Sequence, residues 1–305
     1  MSGSSESLRR KIQSAGDLQG VVRTMKALAA SSIGQYENSV QALSEYYRTV
    51  ELGLAACFRE IRTGRAARPR MPQAHPGPAG AIVFGSDQGL VGQFNEEVAD
   101  YAIQAIRALG ADAGSLKVWA VGERVHALLA EAGLPLVGLY AVPTSVAAII
   151  PLVGEIQIEC EASFGSDETA RIFVYHNRPE AAGRYRPVSQ RLLPLDEEWR
   201  VSLAQVEWPS RSIPQVLAGA SPTLESLVRE YLFISLFRAC AESLASENAS
   251  RLSAMERAEK NIKELLEHLQ GSFNQLRQSG IDEELFDLIS GFEAMSGTRA
   301  GGRSP

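Results

Sequence analysis

Apolar and small residues recur every three or four positions through the first sixty residues. The stripe runs Leu8, Ile12, Ala15, Leu18, Val22, Met25, Ala29, Ser32, Tyr36, Val40, Leu43, Tyr47, Val50, Leu54, Cys57 and Ile61. Fifteen steps cover 53 residues, close to the repeat of about 3.5 at which two helices wind together. A second stripe runs Leu224, Leu227, Tyr231, Ile234, Arg238, Ala241, Ala245, Asn248, Leu252, Met255, Ala258, Ile262, Leu265, Leu269, Phe273 and Leu276. It resumes as Ile281, Leu285, Leu288, Phe292 and Met295. Small residues recur on both, in Ala27 to Ser32 and in Ala239 to Ala249, where backbones could approach closely.

Proline placement marks the same division. Of 14 prolines, 13 lie between Pro69 and Pro222, and the last is Pro305. A proline inside a helix costs about 3 kcal/mol, so the two proline-free arms predict two long helices around a globular insert. Ser221-Pro222-Thr223 is a start signal for the second helix; Gly297, Gly301 and Gly302 are stop signals. Gly16, Gly20, Gly34, Gly53, Gly271 and Gly280 weaken the helices, with breaks expected near Gly20 and Gly280.

The pattern changes in the middle. Ala79 to Gly85, Leu116 to Val121, Leu136 to Val142, Ala170 to Tyr175 and Val188 to Pro194 read as strands. Asn95 to Leu109, Glu123 to Ala132 and Val146 to Phe164 read as helices between them. Alternating strands and helices imply a mostly parallel open sheet, a Rossmann-like α/β domain. Arg62 to Ala79, with four arginines and four prolines, reads as a solvated linker. The expected division is residues 1–68 as the first coiled-coil helix, 69–215 as the α/β domain and 216–305 as the second helix with a projecting tip. The fold class is therefore α/β, a long antiparallel two-helix coiled coil carrying an inserted domain. About 18 residues, to Met295, should project beyond the paired region as a lone helix of roughly 27 Å. An apolar overhang of that kind calls for a partner.

Composition removes several function classes. The 305 residues are 45% hydrophobic and carry 30 basic against 36 acidic side chains, a net charge of −6. No nucleic acid partner is expected. Cys57, Cys160 and Cys240 are odd in number and far apart, so no zinc knuckle, redox dithiol or disulfide framework is written here. The opening residues carry no apolar signal core, and the longest apolar run, Val146 to Val153, is eight residues and contains Pro151. A membrane-spanning segment is not expected.

Gly85 to Gly92 follows a strand and opens a helix, where a phosphate loop would sit. Its spacing is GxxxGxxG without a following lysine, unlike either common nucleotide loop. The reading is a structural turn built on Asp87, Gly89 and Gly92. His75, His126, His176 and His268 show no metal-binding spacing. The acidic runs Asp196-Glu197-Glu198 and Asp282-Glu283-Glu284 read as solvated faces. No catalytic residue, cofactor site or metal site is assigned.

Several segments carry a resemblance. Leu8 to Ser14 with Val22 to Ser31, the turn Ser86 to Asn95, the stretch Leu236 to Met255, and Phe273 to Gln278 followed by Ile281 to Ala294 occur in the order found in the gamma subunit of F-type ATP synthases. Together they resemble that family, the central rotor shaft, over nearly the whole chain. Val22, Thr24, Gly280, Asp282 and Phe292 depart from its pattern, and Ser31 to Gln35 lacks its basic cluster.

The resemblance implies a function without catalysis in this chain. The chain would be the asymmetric shaft inside a ring of alpha and beta subunits, which make or hydrolyse ATP. Its α/β foot would bind the epsilon subunit and the membrane ring of c subunits, coupling ion flow to conformational change. Met25, Lys26, Arg251, Gln278 and Asp282 would face the stator. The complex would lie on the cytoplasmic face of a bacterial cell membrane, with this chain peripheral. From the residues alone, a nucleotide-binding α/β enzyme or a coiled-coil scaffold unrelated to rotation remain alternatives.

Overall fold

The computed structural model describes residues 2–64, 77–110, 114–165, 170–195, 201, 203, 208–212, 214–217 and 219–300. They fall into two compact units, Met1–Ala27 with Met255–Pro305, and Leu28–Ala254. Two long helices contribute to both: α1, Ser2–Gly64, and α5, Ala220–Ala300. Both run unbroken through Gly20 and Gly280, against expectation. Each glycine costs about 1 kcal/mol, but once a helix is nucleated, extending it through an isolated weak residue is cheaper than restarting it. A Cβ on Gly16, Gly20, Gly34, Gly271 or Gly280 would meet no atom within 4 Å. None of these glycines is demanded by packing.

In the first unit the helices are antiparallel. The Arg9 guanidinium lies 5.2 Å from the Phe273 ring centre, while Arg23 and Lys26 reach Glu259. Every described side chain from Asp282 to Gly291 is exposed, including Leu285, Phe286, Leu288 and Ile289.

In the second unit the same antiparallel sense holds. Tyr46 donates to Glu230, Tyr47 packs on Tyr231 at 5.9 Å, and Gly53 faces Leu227. Between the arms in sequence lies a five-stranded sheet in the order β3-β2-β1-β4-β5. Its strands are β1 Ala79–Phe84, β2 Leu116–Val121, β3 Leu136–Tyr140, β4 Arg171–Pro179 and β5 Tyr185–Leu193. β1, β2, β3 and β4 are parallel, while β5 returns antiparallel beside β4. The last two strands each extend beyond the predicted limits, joined by a 3-10 turn at Ala181–Gly183. The central strand β1 is buried at every position, as a parallel strand covered on both faces must be.

Helices α2 (Phe94–Ala108) and α3 (Glu123–Glu131) cover one face of the sheet around Val83, Val98, Val118 and Leu129. The other face packs on α4 (Val146–Phe164) and on α5 itself, through Ile82, Trp119, Ile156, Leu236 and Cys240. The Ser145 side chain caps α4 by accepting from the Ala148 amide.

The structure corrects the single-stripe reading of α5. Every residue from Ala239 to Ser250 is buried, because the helix lies between the sheet layer and α1. Val50 and Leu54 of α1 pack against Tyr231 and Ile234, and Tyr36 joins the cluster around Leu236 and Leu244. A helix buried all round has no solvated face for a single apolar stripe to oppose. The expected linker is also shorter, since α1 continues through Arg62 to Gly64. Residues 65–76, His75 and the Asp196-Glu197-Glu198 run lie outside the described residues.

Candidate functional site

The turn after β1 is held by its own polar groups. The Ser86 amide donates to Asn95 Oδ1 at 2.9 Å, and Asn95 Nδ2 donates to Ser86 Oγ at 2.8 Å. The Asp87 carboxylate accepts from the Glu123 amide at 3.1 Å and the Val142 amide at 2.9 Å. Asp87 thus sits at the start of α3, where its negative charge is favoured by the helix amides and would repel a phosphate. The turn is a brace across three loop ends.

The steric demands fall on glycines other than the one expected. A Cβ on Gly85 would lie 2.4 Å from Val125 Cβ. Gly122 has φ +114, and its Cβ would lie 2.8 Å from Ser86 backbone atoms. Positive φ within the turn occurs at Leu90 and Gly92, not at Gly89. A Cβ on Gly89 would find only the Arg124 guanidinium, at 3.5 Å. Gly92 thus adopts the left-handed conformation that favours glycine, and Gly89 does not.

Behind the turn, α5 buries two acids. Glu242 accepts from Arg238 Nε at 2.7 Å and Arg178 Nε at 2.9 Å, and pairs with His176 Nε2 at 2.8 Å. Burial alone would raise the Glu242 carboxyl, but the bonds from His176, Arg238 and Arg178 hold it well below its ordinary value. His176 is 1% exposed, and burial lowers its pKa despite the carboxylate beside it. The imidazole is therefore neutral at pH 7 and donates from Nε2 to Glu242, leaving Nδ1 without a protein partner.

Glu247 lies one turn before Arg251 and accepts from its Nη2 at 2.6 Å. Burial raises the Glu247 carboxyl, Arg251 opposes the shift, and Asp87 adds to it. Arg251 was expected to face outward; its side chain is only 15% exposed because it folds back on Glu247.

In the other unit, Lys26 Nζ and Arg23 Nε each lie 2.9 Å from a different oxygen of Glu259. Hydrogen bonds from Lys26 and then Arg23 hold the Glu259 carboxyl below its ordinary value. Met25 beside them is half-buried, whereas Gln278 and Asp282 are exposed on the far part of α5. Glu259 joins Lys26 as a partner that spacing on one helix could not reveal. Glu242 and Glu247 had a readable signal: two acids inside a run of small residues too apolar to be a solvated face.

No group of three or more His, Cys, Asp or Glu among the described residues is placed to hold a metal. No described helix is long and apolar enough to cross a membrane.

Comparisons with known proteins agree along the chain. The sequence model of the ATP synthase family matches residues 4–295. The ATP synthase gamma chain of Nitrosomonas eutropha is 26% identical over 294 residues, covering 96% of this chain and 99% of that one. That of Cyanothece sp. is 27% identical over 315 residues, covering 95% and 98%. A chain in the rotor of Euglena gracilis mitochondrial ATP synthase shares the fold at TM-score 0.60, with 16% identity, covering 92% of this chain and all of that chain. A second, from the OSCP/F1/c-ring structure of the same enzyme, gives TM-score 0.62 at 15% identity, covering 100% and 98%. Two long terminal helices around a parallel-rich sheet, matched by a family model from residue 4 to residue 295, place this chain in the ATP synthase family, among relatives that are gamma chains.

Proposed function

We propose that this chain is the central shaft of a rotary F-type ATP synthase, coupling ion flow through a membrane ring of c subunits to conformational change in a catalytic ring of alpha and beta subunits. The observation that carries this reading is the family match over nearly the full length of both chains, joined to antiparallel long helices and an exposed apolar end. Residues 1–68 and 216–305 are the shaft, and 69–215 the foot that meets the epsilon subunit and the c-ring. The complex is membrane-associated, and this chain sits at the cytoplasmic face.

The chain contributes geometry rather than chemistry. An asymmetric shaft in a threefold ring makes different contacts with each catalytic subunit, and so biases each toward a different conformation. Met25, Lys26, Arg251, Gln278 and Asp282 are the proposed stator-facing positions. Gln278 and Asp282 are free to make such contacts as they stand. Lys26 and Arg251 would have to exchange Glu259 and Glu247 for a stator carboxylate, or share their charge.

Co-expression with the alpha and beta subunits of the same complex tests the reading. One copy of this chain should co-purify with the ring, and steady-state ATP hydrolysis should need it. A ring that forms and turns over equally well without the chain would contradict the proposal.

A further inference from the structure

The α/β layer is fastened to one face of α5 by directional bonds. Glu242, Ser246 and Ser250 are spaced four residues apart and so share a face. All three are buried. Glu242 takes the bonds from His176 and Arg178 at the end of β4. Ser246 Oγ donates to the Asn177 carbonyl at 3.0 Å. Asn177 Nδ2 in turn donates to the Phe94 carbonyl at 2.8 Å, and Ser250 Oγ donates to the Val91 carbonyl. The partners thus come from two places, the strand end His176 to Arg178 and the turn that closes at Val91 and Phe94.

Apolar packing joins the same layers, through Ile82 and Trp119 against Leu236 and Cys240. Apolar contact resists separation, but it is non-directional and permits sliding. Hydrogen bonds between buried groups are not so permissive, since their energy falls steeply with angle and a broken one leaves an unsatisfied dipole. A domain turning about the α5 axis would break the bonds of Glu242, Ser246 and Ser250 before it lost much apolar area.

We infer that this row is the torque coupling between foot and shaft: Ser246 and Ser250, with the His176–Glu242–Arg178 cluster, are positioning residues that keep the α/β domain from slipping around α5 under load. The inference rests on the rotor reading above and assigns that mechanical task to particular side chains.

The complete enzyme reconstituted in vesicles provides the test, with Ser246→Ala, Ser250→Ala and the double variant, each removing a hydroxyl that crosses from α5 to the α/β layer. Two rates are read: ATP hydrolysis by the detached catalytic sector, and ions pumped per ATP hydrolysed by the complete enzyme. The double variant should hydrolyse ATP within about twofold of the unsubstituted enzyme while pumping per ATP falls at least threefold, with each single variant between. A pumping ratio unchanged in the assembled double variant would overturn the inference. So would a parallel fall in both rates, which marks a purely structural role. Should the double variant fail to assemble, Ser246→Ala, which removes one hydroxyl, is read in the same way. Failure of the unsubstituted chain to join the catalytic sector would instead sink the rotor reading, and the coupling with it.

Discussion

Arg251 donates from Nη2 to Glu247 Oε1 at 2.6 Å across one turn of α5, with the two side chains only 15% and 7% exposed. A pair this buried behaves unlike a surface ion pair. Removing one partner leaves the other charged and desolvated, whereas replacing both with apolar residues of similar volume is often neutral. Glu247 Oε2 already has no hydrogen-bond partner, so Glu247 has little left to fall back on. Arg251→Ala should lower the unfolding free energy by about 3 kcal/mol, while Arg251→Met with Glu247→Leu should restore it to within about 1 kcal/mol. Urea unfolding midpoints measure both. The double variant also isolates the proposed stator contact, since stability should recover and turnover should not.

The His176–Glu242 cluster predicts acid sensitivity. Burial lowers the His176 pKa, so below its ordinary value of 6.5 the unfolded chain takes up a proton that the folded chain refuses. Its contribution is fully present above that value and is lost as pH falls toward the folded pKa. Glu242, also lowered, adds its contribution above the ordinary carboxylate range and loses it in stronger acid. Glu247, raised by burial, works in the opposite sense, so the difference between variants is the cleaner reading. Melting temperatures between pH 7.5 and about pH 5 should fall more steeply for the unsubstituted chain than for His176→Gln. Equal slopes would mean that His176 does not carry the effect.

Around the turn, the glycines should separate sharply. Gly122→Ala meets both a positive φ and Ser86 backbone atoms at 2.8 Å, and should destabilise by about 2 kcal/mol or more. Gly89→Ala, with only the end of the Arg124 side chain nearby, should change stability by less than about 1 kcal/mol. Thermal unfolding of the two variants side by side decides the point.

The exposed end of α5 should govern solubility. Phe286 and Leu288 are 69% and 72% exposed. Phe286→Ser with Leu288→Ser should reduce aggregation of the free chain, seen by light scattering, and weaken its assembly with the alpha and beta subunits. Improved solubility with unchanged assembly would show that this end is not a contact surface.

What the sequence revealed follows from the range of the interactions involved. β2 and α4 were legible to the residue, because an apolar run bounded by turn signals acts locally. The two long arms were legible because proline-free periodicity from Leu8 to Ile61, and again from Leu224 to Leu276, leaves few alternatives. Continuity through Gly20 and Gly280 was not, since a fixed per-residue cost says nothing about the cooperativity of the helix around it. Residues Ala239 to Ser250 misled because a helix between two layers has two buried faces, and a search for one stripe sees only one. Among the candidate contacts, Met25, Lys26, Gln278 and Asp282 were placed on their helices correctly. Their partners were not readable, as Glu259 lies more than two hundred residues from Lys26. The burial of Arg251 was missed for a different reason: its acid lies four residues away, but its charge and its place beside the stripe of Asn248, Leu252 and Met255 were read as facing outward.

The central claim is that this chain turns inside a catalytic ring. The three cysteines, Cys57, Cys160 and Cys240, are all buried, so a cysteine introduced at the exposed Asp100 on α2 gives a selective point for attaching a probe to the foot. With the alpha and beta subunits fixed to a surface and ATP supplied, the probe on Asp100→Cys should rotate in one direction, with three evenly spaced pauses per turn at limiting ATP. A probe that stays fixed, or moves without direction, while the same complexes hydrolyse ATP would contradict the account.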